Sequence, residues 1–288
     1  MVCITGAAGF IGSTLLNKIS SSQKVLACDP NDETMIHPDD LFDVLAEIKP
    51  SVIYHLGAIS STTETDTRLI SKNNIEFSCK ILEFCIENNV KLVYASSASV
   101  YGHGKKGFSE NCTKEPLNYY AISKSCFDDI VQQKILDNPL LRIYGLRYYN
   151  VYGANEEHKK EMSSPIYKFL KQAKIDGEIK IFEGSEKYFR DFIHVDDVVS
   201  ITISASEFDN SGIYNVGTGK ARSFKEVAEI ISKETNSVIK TIQFPEHLKQ
   251  KYQSYTCSDN SKIDCVYKQS RINLKDGIKM VINEKSFY

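Results

Sequence analysis

The residues best suited to chemistry are a phenol and an ammonium held at a fixed spacing. Tyr120-Ala121-Ile122-Ser123-Lys124 sets them four positions apart, so a helix carries both on one face. A tyrosine of ordinary pKa, near ~10, is a poor base at neutral pH, but a neighbouring Lys⁺ favours its phenolate. Such a phenolate can take the proton of an alcohol undergoing oxidation. Upstream, Tyr94-Ala95-Ser96-Ser97-Ala98-Ser99-Val100-Tyr101-Gly102 ends a strand-like run on hydroxyl residues, where Ser97 could hydrogen-bond the reacting oxygen. Tyr-x-x-x-Lys alone carries almost no information, because chance pairs of this kind lie on many solvated helices. Its weight comes from the order along the chain.

Ahead of this set stands Thr5-Gly6-Ala7-Ala8-Gly9-Phe10-Ile11-Gly12, between a strand-like start and a helix with apolar Ile11, Leu15, Leu16 and Ile19. Gly6, Gly9 and Gly12 permit a tight turn and close backbone approach, and the helix start offers free N–H groups to a pyrophosphate. A glycine pattern is weak by itself; the strand before it and the helix after it make it a dinucleotide site. Asp29 closes the second strand, roughly 20 residues further on, where an acid accepts ribose hydroxyls. Between Val25 and Ile48 lie seven acids (Asp29, Asp32, Glu33, Asp39, Asp40, Asp43, Glu47) and no Lys or Arg. A ribose 2′-phosphate finds repulsion there and no cationic clamp, so the expected cofactor is NAD rather than NADP. An oxidised nicotinamide favours the Tyr120 phenolate further and accepts the hydride.

Apolar runs of strand length at residues 2–4, 24–28, 52–56, 91–95 and 141–146 alternate with segments of helical length. That order predicts a parallel sheet of Rossmann-like, doubly wound α/β type. In residues 69–86, Leu69, Ile70, Asn73, Phe77, Ile81, Leu82 and Cys85 form one apolar-leaning helical stripe. After about Asn150 the alternation becomes irregular, which predicts a smaller, interleaved C-terminal substrate lobe. The expected division gives residues 1–151, 192–220 and 253–270 to a dinucleotide-binding domain, and 152–191, 221–252 and 271–288 to a substrate domain.

The formal net charge is -2, with 25% charged residues, so no basic surplus invites nucleic acid or an anionic membrane. No apolar run approaches the ~20 residues of a membrane span, and Met1 leads directly into a strand; the expected location is the cytoplasm. The eight cysteines show no CxxC pairing, so neither zinc nor disulfides are expected. His55 and His194 lack partners at ligand spacing and read as structural, and no metal is predicted. Asp196-Asp197 reads as an acidic helix start rather than a catalytic pair.

With these motifs in hand, the chain resembles the extended short-chain dehydrogenases, and within them the nucleotide-sugar epimerases that act on an ADP-heptose. The more specific pieces are Ser60-Ser61-Thr62-Thr63-Glu64, Asn150-Val151-Tyr152-Gly153 followed by His158-Lys159, Phe182-Glu183-Gly184-Ser185, Arg190-Asp191-Phe192 and the segment 248–255. The resemblance implies redox-neutral inversion at C6 of the sugar, with Tyr120 as one acid/base, Lys159 as a second, and Ser97 and Lys124 assisting. It implies cofactor contacts from Phe10, Ile11, Asp29, Leu56, Gly57, Ala58, Asn73 and Val151. Substrate contacts would come from Ser60, Ser61, Asn150, Phe182, Glu183, Gly184, Ser185, Arg190 and Tyr252. It further implies a homo-oligomer.

The departures from the family pattern are as informative. Residues 29–38 are too few for a crossover, so the helix between the second and third strands is expected to be missing or rudimentary. The family's lysines near the ribose are absent, which sets the NAD expectation against an analogy that points to NADP. Glu161 and Lys168 stand where the family carries a small hydroxyl residue and a histidine. Two other readings remain open: a 4-epimerase of a UDP- or GDP-hexose, in which Lys159 is dispensable, and a catalytically silent dinucleotide-sensing or scaffold protein. Ala98-Ser99 after Ser97 leaves out the acid that a dehydratase needs.

Overall fold

The computed structural model describes residues 1–103, 107–245 and 253–284. Compactness groups them into two units, 1–100 with 116–148 and 198–214, and 101–115 with 149–197 and 215–288. The division expected from sequence places 101–115, 149–151, 192–197, 215–220 and 253–270 with the dinucleotide-binding part, whereas compactness groups them with the second unit.

A sheet of order β2-β1-β3-β4-β5-β9 is built from Val25–Cys28, Val2–Thr5, Val52–His55, Lys91–Ser97, Ile143–Tyr148 and Gly212–Val216, the first unit holding all of it up to Tyr214. Neighbours among the first five strands run parallel. Each of β1, β3 and β5 is buried along its whole length, as expected of strands covered on both faces. The strand order reverses between β1 and β3, the crevice where such sheets bind ligands. Helices α1 (Phe10–Ser20), α2 (Leu41–Ile48), α4 (Phe77–Glu87) and α5 (Tyr119–Asp137) supply crossovers, α4 after a short α3 (Thr67–Ile70). Leu41, Leu45, Ile81, Leu82, Phe127 and Val131 join strand residues in one core.

Two expectations are corrected here. A helix does stand between β2 and β3: α2, two turns long, with Leu41 and Leu45 fully buried at a spacing of four. The crossover runs on past Pro38 to Pro50. Residues 29–40 themselves hold no helix, and Ile36 returns to bridge Cys28 alongside β2. The helical stripe also changes phase. A π-helical turn at Ser71–Glu76 inserts extra backbone, the Phe77 N–H reaching back to the Lys72 carbonyl. Asn74 and Ser78 thereby take the fully buried positions, Asn73 and Phe77 are half-buried, and Leu69 is exposed.

The second unit holds a three-stranded sheet of order β10-β8-β6 (Ala221–Ser223, Phe189–His194, Asn150–Tyr152) and a parallel pair, β11 (Val238–Ile242) with β7 (Glu178–Phe182). Helices α6 (Pro165–Asp176) and α8 (Phe224–Thr235) bury Ile166, Leu170, Val227 and Ile231 with Ile179 of β7. Local signals set their limits: Ser164 and Ser223 cap the two N-termini, and Gly177 and Asn236 end them in left-handed conformation. Helix α7 (Val195–Ala205) begins on Asp196 and Asp197, as expected of an acidic helix start.

Candidate active site

The glycine turn joins β1 to α1 with no room for side chains. Gly6 adopts φ +70°, and a Cβ there would stand 2.5 Å from the Gly57 nitrogen. At Gly12 a Cβ would lie 1.9 Å from the Gly6 carbonyl oxygen. The end of β3, followed by Leu56, Gly57 and Ala58, is therefore pressed against the turn. Asp29, at the end of β2, is buried and hooks onto the same turn. Its Oδ2 accepts from the Ala8 N–H at 3.1 Å, and its Oδ1 accepts from the Asn31 backbone at 2.9 Å and side chain at 3.1 Å. A bare backbone cradle with a buried carboxylate beside it fits the pyrophosphate and the ribose hydroxyls of NAD, and disfavours a 2′-phosphate.

Helix α5 brings the phenol and ammonium to the end of β4. Asn118 caps it by accepting from the Ala121 N–H at 2.9 Å, and Tyr120 follows in the first turn. Ser97 is the last residue of β4, and its hydroxyl bonds the Tyr120 phenol. The Ser97 Oγ also accepts from the Ser99 N–H at 3.2 Å and hydroxyl at 2.9 Å. Lys124 is buried and its Nζ donates to the Ala95 carbonyl at 2.8 Å. Burial pulls Lys124 down to about 8, while Asp128 pushes the other way. Burial raises the Tyr120 pKa, the Ser97 bond lowers it and Asp128 raises it. The protein alone thus favours the protonated phenol, and forming a phenolate calls for a further positive charge nearby.

Two supporting groups here were not singled out from sequence. Asp128, one turn beyond Lys124, is wholly buried, accepting from the Arg147 Nε at 2.8 Å and the Tyr94 hydroxyl at 2.9 Å. Its i,i+4 spacing from Lys124 was a usable signal. The second is a polar chain. Thr5 and His55 share a 2.6 Å bond, His55 and Ser78 one of 2.8 Å, and Ser78 donates to the Asn74 carbonyl at 2.8 Å. Asn74 donates to Ser123 at 3.0 Å, and Ser123 donates to the Tyr120 carbonyl at 2.7 Å. Burial, then the Lys124 charge, holds His55 down at about 3, so it stays neutral and structural. Asn73, the expected cofactor contact, is half-buried and its amide donates to the Leu69 carbonyl at 2.8 Å. The neighbouring Ile59 is held by Asn74 through bonds of 2.8 and 2.9 Å, just ahead of Ser60 and Ser61.

In the second unit, β6 places Asn150 beside β8, where its amide donates to the Asp191 carbonyl at 3.2 Å; Val151 follows in the same strand. Arg190 is buried, its Nη1 donating to the Phe189 carbonyl at 2.8 Å and its guanidinium lying 5.5 Å from the Phe224 ring centre. Phe182 ends β7 and packs on Phe244, with Glu183, Gly184 and Ser185 turning after it. Lys159 lies in a short 3₁₀-helical stretch after β6, Glu157–Met162, kinked at Lys160, with its Nζ 2.8 Å from the Glu156 carboxylate. The two departures from the family pattern meet each other: the Lys168 Nζ donates to the Glu161 carbonyl at 2.7 Å and sits 3.9 Å from its carboxylate. Tyr252 lies outside the described residues.

The glycine turn, the buried acid and the Ser97-Tyr120-Lys124 set define a dinucleotide-dependent enzyme of the short-chain dehydrogenase type. The chain belongs to the NAD dependent epimerase/dehydratase family, whose model matches residues 2–217. It is 39% identical to an ADP-L-glycero-D-manno-heptose-6-epimerase of Brachyspira hyodysenteriae, over 97% of this chain and 96% of that one. The enzyme of the same name from Alkalilimnicola ehrlichii is 37% identical, over 91% and 90%. Among solved structures, the Helicobacter pylori ADP-L-glycero-D-manno-heptose-6-epimerase superposes with a TM-score of 0.85 at 28% identity, covering 98% of this chain and 94% of that one. MoeE5 in complex with UDP-glucose and NAD gives 0.80 at 25%, with 98% and 97% covered.

Proposed function

We propose that the chain converts ADP-D-glycero-D-manno-heptose to its L-glycero epimer at C6, without net redox. The observation that carries this reading is the match to two relatives of that name over more than nine-tenths of the chain. In this reading NAD, when bound, supplies a hydride acceptor, a hydride donor and a positive charge near the phenol. Gly6, Gly9, Phe10, Ile11 and Gly12 hold its pyrophosphate and Asp29 its ribose, with Leu56, Gly57, Ala58, Asn73 and Val151 lining the rest. Residues 1–151, 192–220 and 253–270 then serve the cofactor, and the remainder serves the sugar nucleotide.

Tyr120 takes the proton of the C6 hydroxyl as the hydride leaves that carbon, Ser97 holds the oxygen, and the Lys124 charge favours the phenolate. Inversion requires the hydride to return to the opposite face of the carbonyl. The oxygen then lies differently, and a second group must give the proton. Lys159 is that group, supported by the family resemblance. Ser60, Ser61, Asn150, Phe182, Glu183, Gly184, Ser185, Arg190 and Tyr252 hold the substrate, with Arg190 suited to the diphosphate. The active form is a cytoplasmic homo-oligomer.

Proton NMR of ADP-D-glycero-D-manno-heptose incubated with the purified protein, without added cofactor, tests the reading. The C6-inverted sugar should accumulate, and Tyr120→Phe should abolish it. No inversion, with or without added NAD or NADP, would move the assignment to a hexose 4-epimerase.

A further inference from the structure

We propose that Glu156 is the positioning residue for Lys159, a buried carboxylate that gathers the ends of the 153–164 loop and presents the ammonium at one place. The inference rests on Lys159 being the second acid/base. Glu156 is fully buried, and its two oxygens take four donors. Oε1 accepts from the Gly153 N–H at 3.2 Å and the Ser164 hydroxyl at 2.7 Å. Oε2 accepts from the Ser164 N–H at 2.6 Å and the Lys159 Nζ at 2.8 Å.

Three of those donors tie the carboxylate to rigid structure. Gly153 directly follows β6, and Ser164 caps α6 by accepting from the Tyr167 N–H at 3.1 Å. The fourth donor is the ammonium, whose side chain keeps about a quarter of its surface exposed (24%). A neutral amide could serve part of the loop-end bonding; the ammonium is what calls for a full negative charge on a side chain that is itself fully buried. The backbone beside it is also constrained. Lys160 adopts φ 47°, ψ −118°, a conformation costly for a side-chain-bearing residue, and its carbonyl accepts from the Ser163 N–H at 3.1 Å. Strain next to Lys159 persists only while the surroundings over-determine the loop, and Glu156 is the group that bonds to both of its ends.

The test uses the full chain with Glu156→Gln, Glu156→Asp, Lys159→Ala and the double variant Glu156→Gln/Lys159→Ala. Turnover per folded molecule should fall roughly 10- to 100-fold in Glu156→Gln. The double variant should be no slower than Lys159→Ala alone, because the carboxylate acts through the lysine. Independently of turnover, reductive methylation read by peptide mass spectrometry should modify Lys159 severalfold faster in Glu156→Gln. If Glu156→Gln fails to fold, Glu156→Asp keeps the charge on a shorter arm and should show an intermediate loss. Wild-type turnover and unaltered methylation in a folded Glu156 variant, or additive losses in the double variant, would overturn the inference while leaving Lys159 its role. Near-normal turnover of Lys159→Ala would remove that role, and the inference with it.

Discussion

Lys124 and Lys159 are both proposed to take part in the reaction, and their surroundings differ in kind. Lys124 projects from a long capped helix, is buried, and has a backbone carbonyl rather than a carboxylate at 2.8 Å. Lys159 leaves a short, kinked 3₁₀-helical stretch, keeps about a quarter of its surface, and meets a buried carboxylate at the same distance. The first is a charge that the fold tolerates at a cost, its pKa pulled down to about 8 by burial. The second is a charge whose partner the fold supplies. A long, capped helix holds a charged group in place through its own packing, whereas a short, kinked stretch gains a defined side-chain position from a tether such as the Glu156 carboxylate.

Replacing Lys124 should break the framed side most severely. Lys124→Met is expected to lose roughly 100-fold or more of the epimerase rate, read by the NMR assay. It should also raise stability at neutral pH, because a pKa lowered from 10.5 to about 8 penalises the charged form in the fold. That penalty is on the order of 3 kcal/mol, is fully present below pH 8 and fades between pH 8 and 10.5. Denaturant melts at pH 7 and pH 10.5 check the sign: the advantage of the variant should shrink at the higher pH. For the same reason, wild-type turnover should decline as pH rises through about 8, where Lys124 loses its proton.

Gly12→Ala strikes the cradle. Its Cβ cannot sit 1.9 Å from a carbonyl oxygen, so the turn must shift, costing about 2 kcal/mol and most of the retained cofactor. Nucleotide released by acid from the wild-type protein should be NAD, with little left in the variant. On the loop side, Lys160→Gly should relieve the backbone strain and raise stability by about 1 kcal/mol in a melt. The smallest effect belongs to Lys168→Met. With Glu161 almost fully exposed, the 3.9 Å pair contributes within about 0.5 kcal/mol, although the KM for the sugar nucleotide would reveal a role in recognition.

The parts of this molecule that were legible beforehand are those with a short-range cause. Strands β1 to β5 announce themselves as apolar runs, the glycine turn lies between a strand and a helix, and Tyr120 and Lys124 share a helix face by spacing alone. Reading failed where one local feature stood in for a longer one. Pro38 looked like the end of a crossover, and α2, which starts at Leu41, was missed. A single π-helical turn, invisible to a 3.6-residue period, moved the buried asparagine from Asn73 to Asn74.

By itself, then, the sequence determined the order of the first five strands, the glycine turn between the first strand and helix, and the shared helix face of Tyr120 and Lys124, because backbone periodicity and glycine sterics act over a few residues. Only the tertiary structure decided which charges are buried and what they face. The pairing of Asp128 with Arg147 and of Glu156 with Lys159 and Ser164 has no marker along the chain, and Lys168 with Glu161, at the surface, has none either. Desolvation and partner choice depend on what packs around a group, and that is settled only when distant segments of the chain fold together.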